Sequence, residues 1–372
     1  MHKKALKYRF YPTAGQAELL AQTFGCVRVV YNNILDWRTK EFYDNQNKVG
    51  YKAANARLTA IKRLPEYEWL NSVSCVPLQQ ALRHQQSAFS NFFAGRTKYP
   101  TFKKKTSRQS AEFTKSAFKY RNGNIYIAKS KDPLNIRWSR DLPGEPSSLT
   151  ISKDAADRYF VSCLCEFESK PMPISSKTVG IDLGIENLVI TDNGKTFSNP
   201  RHTAKYAQKL AQAQRVLAKK KLGSANRAKA KVKVARIHAK ISDCRIDNLH
   251  KLSRTLINEN QVVYAETLRV KNMVRNPRYS KGISDAGWGE LLRQVEYKAV
   301  WAGRKLVKID QFFPSSKRCS CCGTIANEMP VKVRNWTCTN CNTKHNRDIN
   351  AAKNIKAAGQ AVLACGECVS LL

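Results

Sequence analysis

Three carboxylates in this sequence stand where they could bind metal ions together. Asp182 lies on an apolar strand pattern, VGIDL, and Gly184 lets the chain turn away after it. Glu266 lies near the end of a second buried strand pattern, QVVYAETL, where a charge is costly unless it is compensated. Asp348 falls in the first turn of a predicted helix, a position that favours a carboxylate. Two of the acids also have a simpler explanation, since Asp182 could cap a turn and Asp348 could cap its helix.

The order of these acids along the chain favours a shared site. An acid on a first strand, an acid at the end of a later strand and an acid at the start of a closing helix form the pattern of the RNase H-like fold. Two Mg²⁺ ions about 3.5–4 Å apart need several hard oxygen ligands, one of them bridging both ions. In such a site one ion activates water and the other stabilises the leaving 3′-oxygen. The pattern therefore predicts phosphodiester hydrolysis with two Mg²⁺ ions, for which Mn²⁺ could substitute.

A second constellation consists of cysteines with the spacing of zinc ligands. Two C-x-x-C pairs are separated by fifteen residues: Cys319, Cys322, Cys338 and Cys341. Two such pairs place four thiolates tetrahedrally around one Zn²⁺ and leave no coordination position for catalysis, so we expect a structural zinc ribbon. Cys321 is a less suitable ligand, because its spacing from Cys319 is C-x-C. The later pair of Cys365 and Cys368 fits a tail feature better than a ligand pair.

The composition indicates a nucleic-acid partner. The 372 residues include 65 Lys and Arg against 28 Asp and Glu, which gives a net charge of +37. A surface of this sign binds polyanions, and its binding should weaken as salt rises. A membrane partner is disfavoured, because no apolar run of about 18 residues is present and the basic amino terminus lacks a signal-peptide core. The scattered remaining cysteines suit a reducing compartment, so we expect a soluble intracellular protein.

The elements that must hold the acids follow from hydrophobic periodicity. Three consecutive antiparallel strands are predicted over 178–197, with a hairpin turn at the Asp-Asn-Gly-Lys sequence of 192–195. After the Glu266 strand, the pattern predicts an amphipathic helix over 285–302 and a short strand over 306–309. The three acids can meet only if these distant segments pack on one sheet.

The first part of the sequence predicts helices inserted into a small β unit. A strand over 3–10 precedes helices that run from Thr13 to about residue 93, with the aromatic residues near their end interpreted as core. Strand patterns separated by turn signals then predict a small antiparallel β domain: 124–128, 149–152 and 159–165. The strand over 3–10 could complete its sheet.

Two basic segments without acids are candidates for nucleic-acid contact. Residues 95–105 interleave aromatic and basic side chains, for which a solvated loop is the alternative. Residues 205–240 carry about a dozen basic residues and predict two helices broken near Gly223, followed by a further amphipathic helix over 241–260. The one-sided charge favours a phosphate-binding hairpin over a solvated face. The individual candidates in these segments are Tyr99, Lys103, Lys104, Lys105, Lys219, Lys220, Lys221 and Arg227.

The motifs GIDLG, YAET, NRDINAA and CSCCG…CTNC, with the opening YRFYPTAGQ…FGCVRVVYN, resemble the transposon-encoded TnpB proteins, relatives of the type V CRISPR effectors. The resemblance spans nearly the full length. It implies an RNA-guided DNA endonuclease of an insertion sequence, which cuts double-stranded DNA beside a short motif and uses a guide RNA from the transposon end. It also makes Asp182, Glu266 and Asp348 the metal-binding catalytic triad, with Arg347 as a supporting group.

The same resemblance implies a multidomain α+β architecture in the prokaryotic cytoplasm or nucleoid. It comprises a β-barrel wedge domain over 1–10 and 110–174, a helical recognition domain over 11–109, a RuvC-like nuclease domain over 175–310 and 343–372, and a zinc ribbon over 311–342. Within the amino-terminal lobe, Gln79 or Gln80 could read the target-adjacent motif, because an amide pairs bidentately with adenine. Whether the protein is a monomer or a dimer stays open.

Other classes fit the sequence less well. VGIDLG also resembles the first phosphate loop of actin-like ATPases, but Ile185-Glu186-Asn187 follows in place of small hydroxyl residues, and no second Gly-rich loop is present. A nuclease-inactive RNA-guided repressor or accessory transposition protein would require the loss of an acid, and all three are present. A transposase would need a separate nucleophile for strand joining, and we identify no such Tyr motif.

Overall fold

The computed structural model of the protein describes residues 1–106, 108–330 and 332–366. The chain folds into two units, Met1–Glu168 and Ser169–Leu372. All three acids and the two C-x-x-C pairs lie in the second unit. None of the helices in the described ranges is long and apolar enough to cross a membrane.

Besides two 3₁₀-helices, Pro65–Ser72 and Lys115–Ala117, the first unit contains three α-helices and seven strands in its described part. They are β1 (His2–Tyr11), α1 (Ala14–Asn45), α2 (Tyr51–Ile61), α3 (Cys75–Phe93), β2 (Gln109–Thr114), β3 (Phe118–Arg121), β4 (Asn124–Ile127), β5 (Asn135–Arg137), β6 (Pro146–Lys153) and β7 (Tyr159–Phe167). The helix α1 begins at the predicted place, because Thr13 and Gln16 form a capping box. The Thr13 hydroxyl accepts from the Gln16 N–H at 3.3 Å, and the Gln16 side chain accepts from the Thr13 N–H at 3.1 Å.

The main sheet of this unit is antiparallel, with the strand order β2-β6-β7-β1-β5. As predicted, β1 completes the sheet, pairing along β7 from His2 opposite Phe167 to Phe10 opposite Tyr159. Apolar side chains of α1, α3 and the strands form one core, which includes Leu20, Leu82 and Leu149. The helical segment is therefore inserted into the β unit and shares its core.

Two sequence-based expectations for this unit are wrong. The β-barrel is not closed among the described residues, because β3 and β4 pair only with each other and leave β2 and β5 as the edges of an open sheet. The aromatic residues at the end of α3 are not all core, since Phe89 is buried but Phe93 is 68% exposed at the last turn of the helix.

The second unit places helices on both faces of a mixed sheet. Its elements are β8 (Thr178–Asp182), β9 (Asn187–Thr191), β10 (Thr196–Ser198), α4 (His202–Lys205), α5 (Ala207–Ala218), α6 (Ala225–Glu259), β11 (Val262–Glu266), α7 (Val270–Met273), α8 (Pro277–Ala286), α9 (Trp288–Ala302), β12 (Lys305–Ile309), β13 (Asn335–Thr337), β14 (Lys344–Asn346) and α10 (Arg347–Ala364). The sheet order is β10-β9-β8-β11-β12, with β8, β11 and β12 parallel. The predicted antiparallel strands β8 to β10 are confirmed.

Two helix boundaries differ from the predictions. The helix α6 continues through residue 241 without interruption, so the second half of the basic segment 205–240 and the following amphipathic segment are one helix of 35 residues. The helix expected from residue 285 begins at Trp288, because Gly287 adopts a left-handed conformation (φ +67°) and ends α8.

Strand alternation decides which way the acids face. Val179 and Ile181 of β8 join Val263 of β11 in a core with α6 and α9, so these side chains point to one face of the sheet. Tyr264 instead packs with residues of α10 on the other face. Because successive side chains alternate, Asp182 and Glu266 emerge on the α10 face.

Candidate active site

Asp182 and Glu266 end neighbouring parallel strands. Ile181 lies opposite Ala265 in the register of β8 and β11, so the next residue of each strand is an acid at the same edge of the sheet. Burial raises the pKa of Asp182 to about 7, the negative charges of Glu266 and Asp348 add to the rise, and the Arg347 guanidinium opposes it. Asp182 thus lies near enough to the other two predicted acids for both of their charges to act on it.

The third acid is brought to this edge by unusually close packing of α10. A Cβ on Gly180 would stand 2.2 Å from the Ala352 carbonyl oxygen, and one on Gly359 would stand 2.2 Å from the Tyr264 ring. Only glycine allows the helix to lie this near β8 and β11. Asp348 is one helical turn before Ala352, so this contact sets the height of Asp348 above Asp182.

A partly buried ion pair fixes α10 along the sheet. Asp192, in the predicted hairpin turn, accepts from the Gly180 N–H at 2.9 Å and from Lys356 Nζ at 2.7 Å. Lys356 also donates to the Thr178 carbonyl at 3.1 Å. Lys356 lies on α10, so these bonds tie the helix to the start of β8 and to the hairpin turn.

Two further side chains hold the acids. Ser315 donates a short hydrogen bond to Glu266, which opposes the rise that burial causes in the pKa of Glu266. Arg334 donates to both carboxylate oxygens of Asp348, at 3.1 and 3.2 Å, and lies 3.8 Å from Glu186. The sequence analysis missed both residues, because neither has a motif and each reaches its acid only through the fold.

The four predicted cysteines form a second site. Their Sγ atoms all lie within 4.8 Å of one another. The Sγ–Sγ distance is 3.6 Å between Cys319 and Cys341 and again between Cys322 and Cys338. Bonds of about 2.3 Å to a central zinc would place tetrahedral sulfurs about 3.8 Å apart, so the spacing fits such an ion. The buried His345 places Nε2 3.0 Å from Cys319 Sγ. Cys321 is exposed, Cys365 ends α10, and Cys368 lies outside the described residues.

Buried asparagines connect the cysteine site to α10. Asn350 and Asn354 donate to the Arg318 carbonyl at 2.7 and 2.6 Å, next to Cys319 in the chain. Asn354 also donates to the Ser315 carbonyl at 2.8 Å. The segment that ends in the first C-x-x-C pair therefore contacts both Glu266 and the helix of Asp348. Two asparagines four residues apart on a predicted helix were the available sequence signal.

The candidate nucleic-acid residues of the first unit lie in and after α3. Gln79 and Gln80 are half-buried in α3. The Tyr99 ring packs edge-on against Phe89, and its hydroxyl lies 2.8 Å from that of Thr39. Lys103 is half-buried with Nζ over the Tyr31 ring, and desolvation lowers its pKa. The most accessible of the set are Lys104 and Lys105.

The candidates of the second unit differ in accessibility. Lys219, Lys220 and Lys221 are exposed between α5 and α6. The Arg227 guanidinium donates to the carbonyls of Leu217 and Lys220 at 3.0 and 2.8 Å, so it holds the connection between the helices. Arg347 donates to the Pro330 carbonyl at 3.0 Å.

Two carboxylates at the ends of neighbouring parallel strands and a third at the start of α10, in a strongly basic chain with a four-cysteine cluster, are typical of a nucleic-acid enzyme, and comparisons with known proteins agree with that class. Family models match residues 162–277 ("Probable transposase", OrfB of IS605), 288–355 ("Cas12f1-like, TNB domain") and 1–47 ("Helix-turn-helix domain"). Residues 1–47, all of them described, form β1 and the single helix α1, so the structure has no helix-turn-helix there.

Similarity to curated proteins extends over the whole chain. A protein of Streptomyces pristinaespiralis named "Putative RNA-guided DNA endonuclease" is 53% identical over 98% of this chain and 91% of its own length. InsQ of Escherichia coli K12, with the same description, is 32% identical over 98% of this chain and 94% of its own. The chain belongs to the TnpB family, the OrfB-type proteins of IS605 elements.

One solved structure is similar in fold. The protein chain of a Cas12f1 complex with single guide RNA and target DNA aligns with a TM-score of 0.57, covering 95% of this chain and 98% of that one. At 14% identity this similarity concerns the fold alone.

Proposed function

We propose that this protein is an RNA-guided DNA endonuclease of an insertion sequence, and that Asp182, Glu266 and Asp348 are its catalytic acids. The observation that carries the proposal is the convergence of these acids at one sheet edge, where burial and mutual repulsion raise the pKa of Asp182 to about 7. Acids that serve only to cap a turn or a helix would not need to share a partly buried site.

The donor set suits two Mg²⁺ ions, with Mn²⁺ as a substitute. All three acids offer carboxylate oxygens, the ligands that these hard cations prefer, and their excess negative charge lacks a full counterion. When bound, such an ion pair supplies an activated water and charge stabilisation for phosphodiester hydrolysis. Ser315 orients Glu266, and Arg334 and Arg347 reduce the negative potential that a DNA phosphate meets at the site.

We assign the second unit to a RuvC-like nuclease domain on the same grounds. Its first strand carries one acid between an antiparallel hairpin and two parallel strands, and a closing helix carries another. The four cysteines would hold one structural Zn²⁺ in an inserted ribbon. The wedge and recognition domains, and the reading of a target-adjacent motif by Gln79 or Gln80, are further proposals for the first unit.

The decisive experiment is a plasmid cleavage assay with two guides and two matched targets that carry the same flanking motif. Exchanging the guide segment of the copurified RNA should move the cut to the newly matched plasmid, because base pairing reads the target. Cleavage that ignores the guide, or that persists after the RNA is removed, would contradict RNA guidance.

The acids are tested one at a time in that assay. Alanine at Asp182, Glu266 or Asp348 should abolish cutting but leave guided DNA binding nearly intact. Asp247→Ala is the matched control, because this acid of the same unit is exposed on α6 and pairs with Lys251 at the surface. A triad variant that cuts at the normal rate with Mg²⁺ would remove that residue from the site.

A further inference from the structure

A groove separates the acid-free helix α5 from the first half of α6. It encloses about 440 Å³, within the range of about 300–1,000 Å³ that is common for small-molecule sites. Its lining combines apolar and cationic side chains: Tyr206, Lys209, Gln212, Ala213, Val216, Ala230, Lys233, Arg236, Ile237 and Lys240. No residue of α5 is buried, so this helix leaves its apolar side chains accessible along the groove.

The apolar part of the groove is not explained by the packing of the hairpin. Val216 is 46% exposed, whereas Ala230 and Ile237 opposite it on α6 are buried. Tyr206 adds an aromatic ring at the start of α5. A surface of this kind is costly in water unless a flat apolar group covers it.

The rim of the groove selects the charge of the occupant. Lys209, Lys233, Arg236 and Lys240 stand around it, and none of them pairs with a carboxylate among the described residues. Phosphates would supply the missing negative charge. A ligand that is flat and apolar in one part and anionic at its edges is a nucleotide within a nucleic-acid strand.

We propose that this groove binds one unstacked base of an RNA, with the flanking phosphates on the four rim cations. RNA is the occupant that the observations favour, because RNA loops and bulges present single bases that leave the stack. An apolar protein segment would gain nothing from four cations, and a continuous duplex has no base to insert. This inference rests on the proposed function in one respect, since it takes the guide RNA as the molecule that supplies the base.

The groove and its rim can be tested separately by salt dependence. The probe is the RNA that copurifies with the protein, sequenced and then transcribed. Ala213→Leu fills the groove and should weaken RNA binding about tenfold, with an unchanged slope of log affinity against log salt. Lys233→Ala should instead reduce that slope by about one phosphate contact. The matched control is Gln214→Leu, which adds the same side chain next along α5 but outside the groove.

A crosslinking experiment identifies the occupant directly. A photoreactive benzoylphenylalanine replacing Val216 should crosslink to one position of the RNA in the assembled complex. Crosslinks to DNA alone, to a second copy of the chain, or spread evenly along the RNA would overturn the proposal. Equal RNA affinities of Ala213→Leu and Gln214→Leu would also overturn the proposal. If the wild-type protein of the same preparation shows guided cleavage, that result leaves the proposed function intact. Absence of guide-dependent cleavage with a single crosslinked RNA position would overturn the proposed function and support the groove.

Discussion

Replacing Gly180 by Ala should disable the site without touching any acid. The new Cβ would stand 2.2 Å from the Ala352 carbonyl oxygen, 2.7 Å from Lys356 Cβ and 2.9 Å from Lys356 N. Two of these three atoms belong to the backbone of α10, so no side-chain rotation can relieve the clash. The helix must move away from the sheet.

The size of this movement follows from the contact distances. Ordinary contact begins at 3.4 Å, so separating the new Cβ from the Ala352 oxygen requires about 1.2 Å. Overpacking of this kind costs roughly 1–3 kcal/mol of folding free energy. Asp348 lies one turn away on the same helix and would move with it, and a misplacement of about 1 Å lowers rates by about 10²-fold.

The measurements are a denaturant titration and the guided cleavage rate. We expect Gly180→Ala to bind guide RNA and target DNA as the wild type does, but to cut them about a hundredfold more slowly. The matched control is Gly289→Ala in α9, where the nearest atom to a new Cβ is Val270 Cγ2 at 4.0 Å. That change should leave cutting intact and raise stability by up to about 1 kcal/mol. Wild-type cleavage by Gly180→Ala would refute the packing argument.

Three further outcomes are expected. Cys338→Ser should reduce the zinc content, measured by elemental analysis, below one ion per chain. It should also lower the melting temperature, because metal affinity of this kind is folding free energy. Zinc-free wild-type protein would contradict this. Asn354→Ala should lower the free energy of unfolding by roughly 1–3 kcal/mol, since it leaves the Ser315 and Arg318 carbonyls without this donor. Because Ser315 would be displaced, the same change should weaken Mg²⁺ binding in a calorimetric titration. Unchanged Mg²⁺ affinity would separate Ser315 from the site. In the folded protein the pKa of Asp182 is about 7, above its ordinary value of 3.8, so the folded state binds this proton more tightly than the unfolded state does. In magnesium-free buffer, the free energy of unfolding should therefore fall as pH rises from about 4 to 7. Asp182→Asn should flatten that dependence in denaturant titrations, and a profile that rises over the same interval in the wild type would show that Asp182 does not control it.

The strands and helices that carry the acids could be predicted because their signals are local. The run of Val179 and Ile181 before Asp182, and the turn residues at 192–195, fix three strands without help from the rest of the chain. The cysteine pairs likewise need only their spacing to predict a shared site, and their sulfurs do converge.

Features that depend on distant packing could not be predicted. Whether β3 and β4 close a barrel depends on which edges they meet in space, and turn signals do not specify that. The continuity of α6 across residue 241 was missed because the change from a basic to an amphipathic composition resembles a boundary, although no residue there breaks a helix. Arg334 reaches Asp348 from fourteen residues earlier in the chain, and only the fold of the intervening segment brings the two together.

In this protein the basic surface and the acidic site have opposite effects on a nucleic acid. A net charge of +37 attracts any phosphate backbone, and such contacts carry no sequence information. The acids have the opposite effect, since a phosphate that approaches Asp182 also approaches Glu266 and Asp348. Burial, with the added repulsion of Glu266 and Asp348, raises the pKa of Asp182 to about 7, which favours its protonated form when no cation is bound. Arg334 and Arg347 offset only part of this charge, so under the proposed function metal cations would have to bind the carboxylates before a DNA strand can settle there. Affinity for nucleic acid should therefore persist when Mg²⁺ is withheld, because it arises from the surface, and cutting alone should be lost.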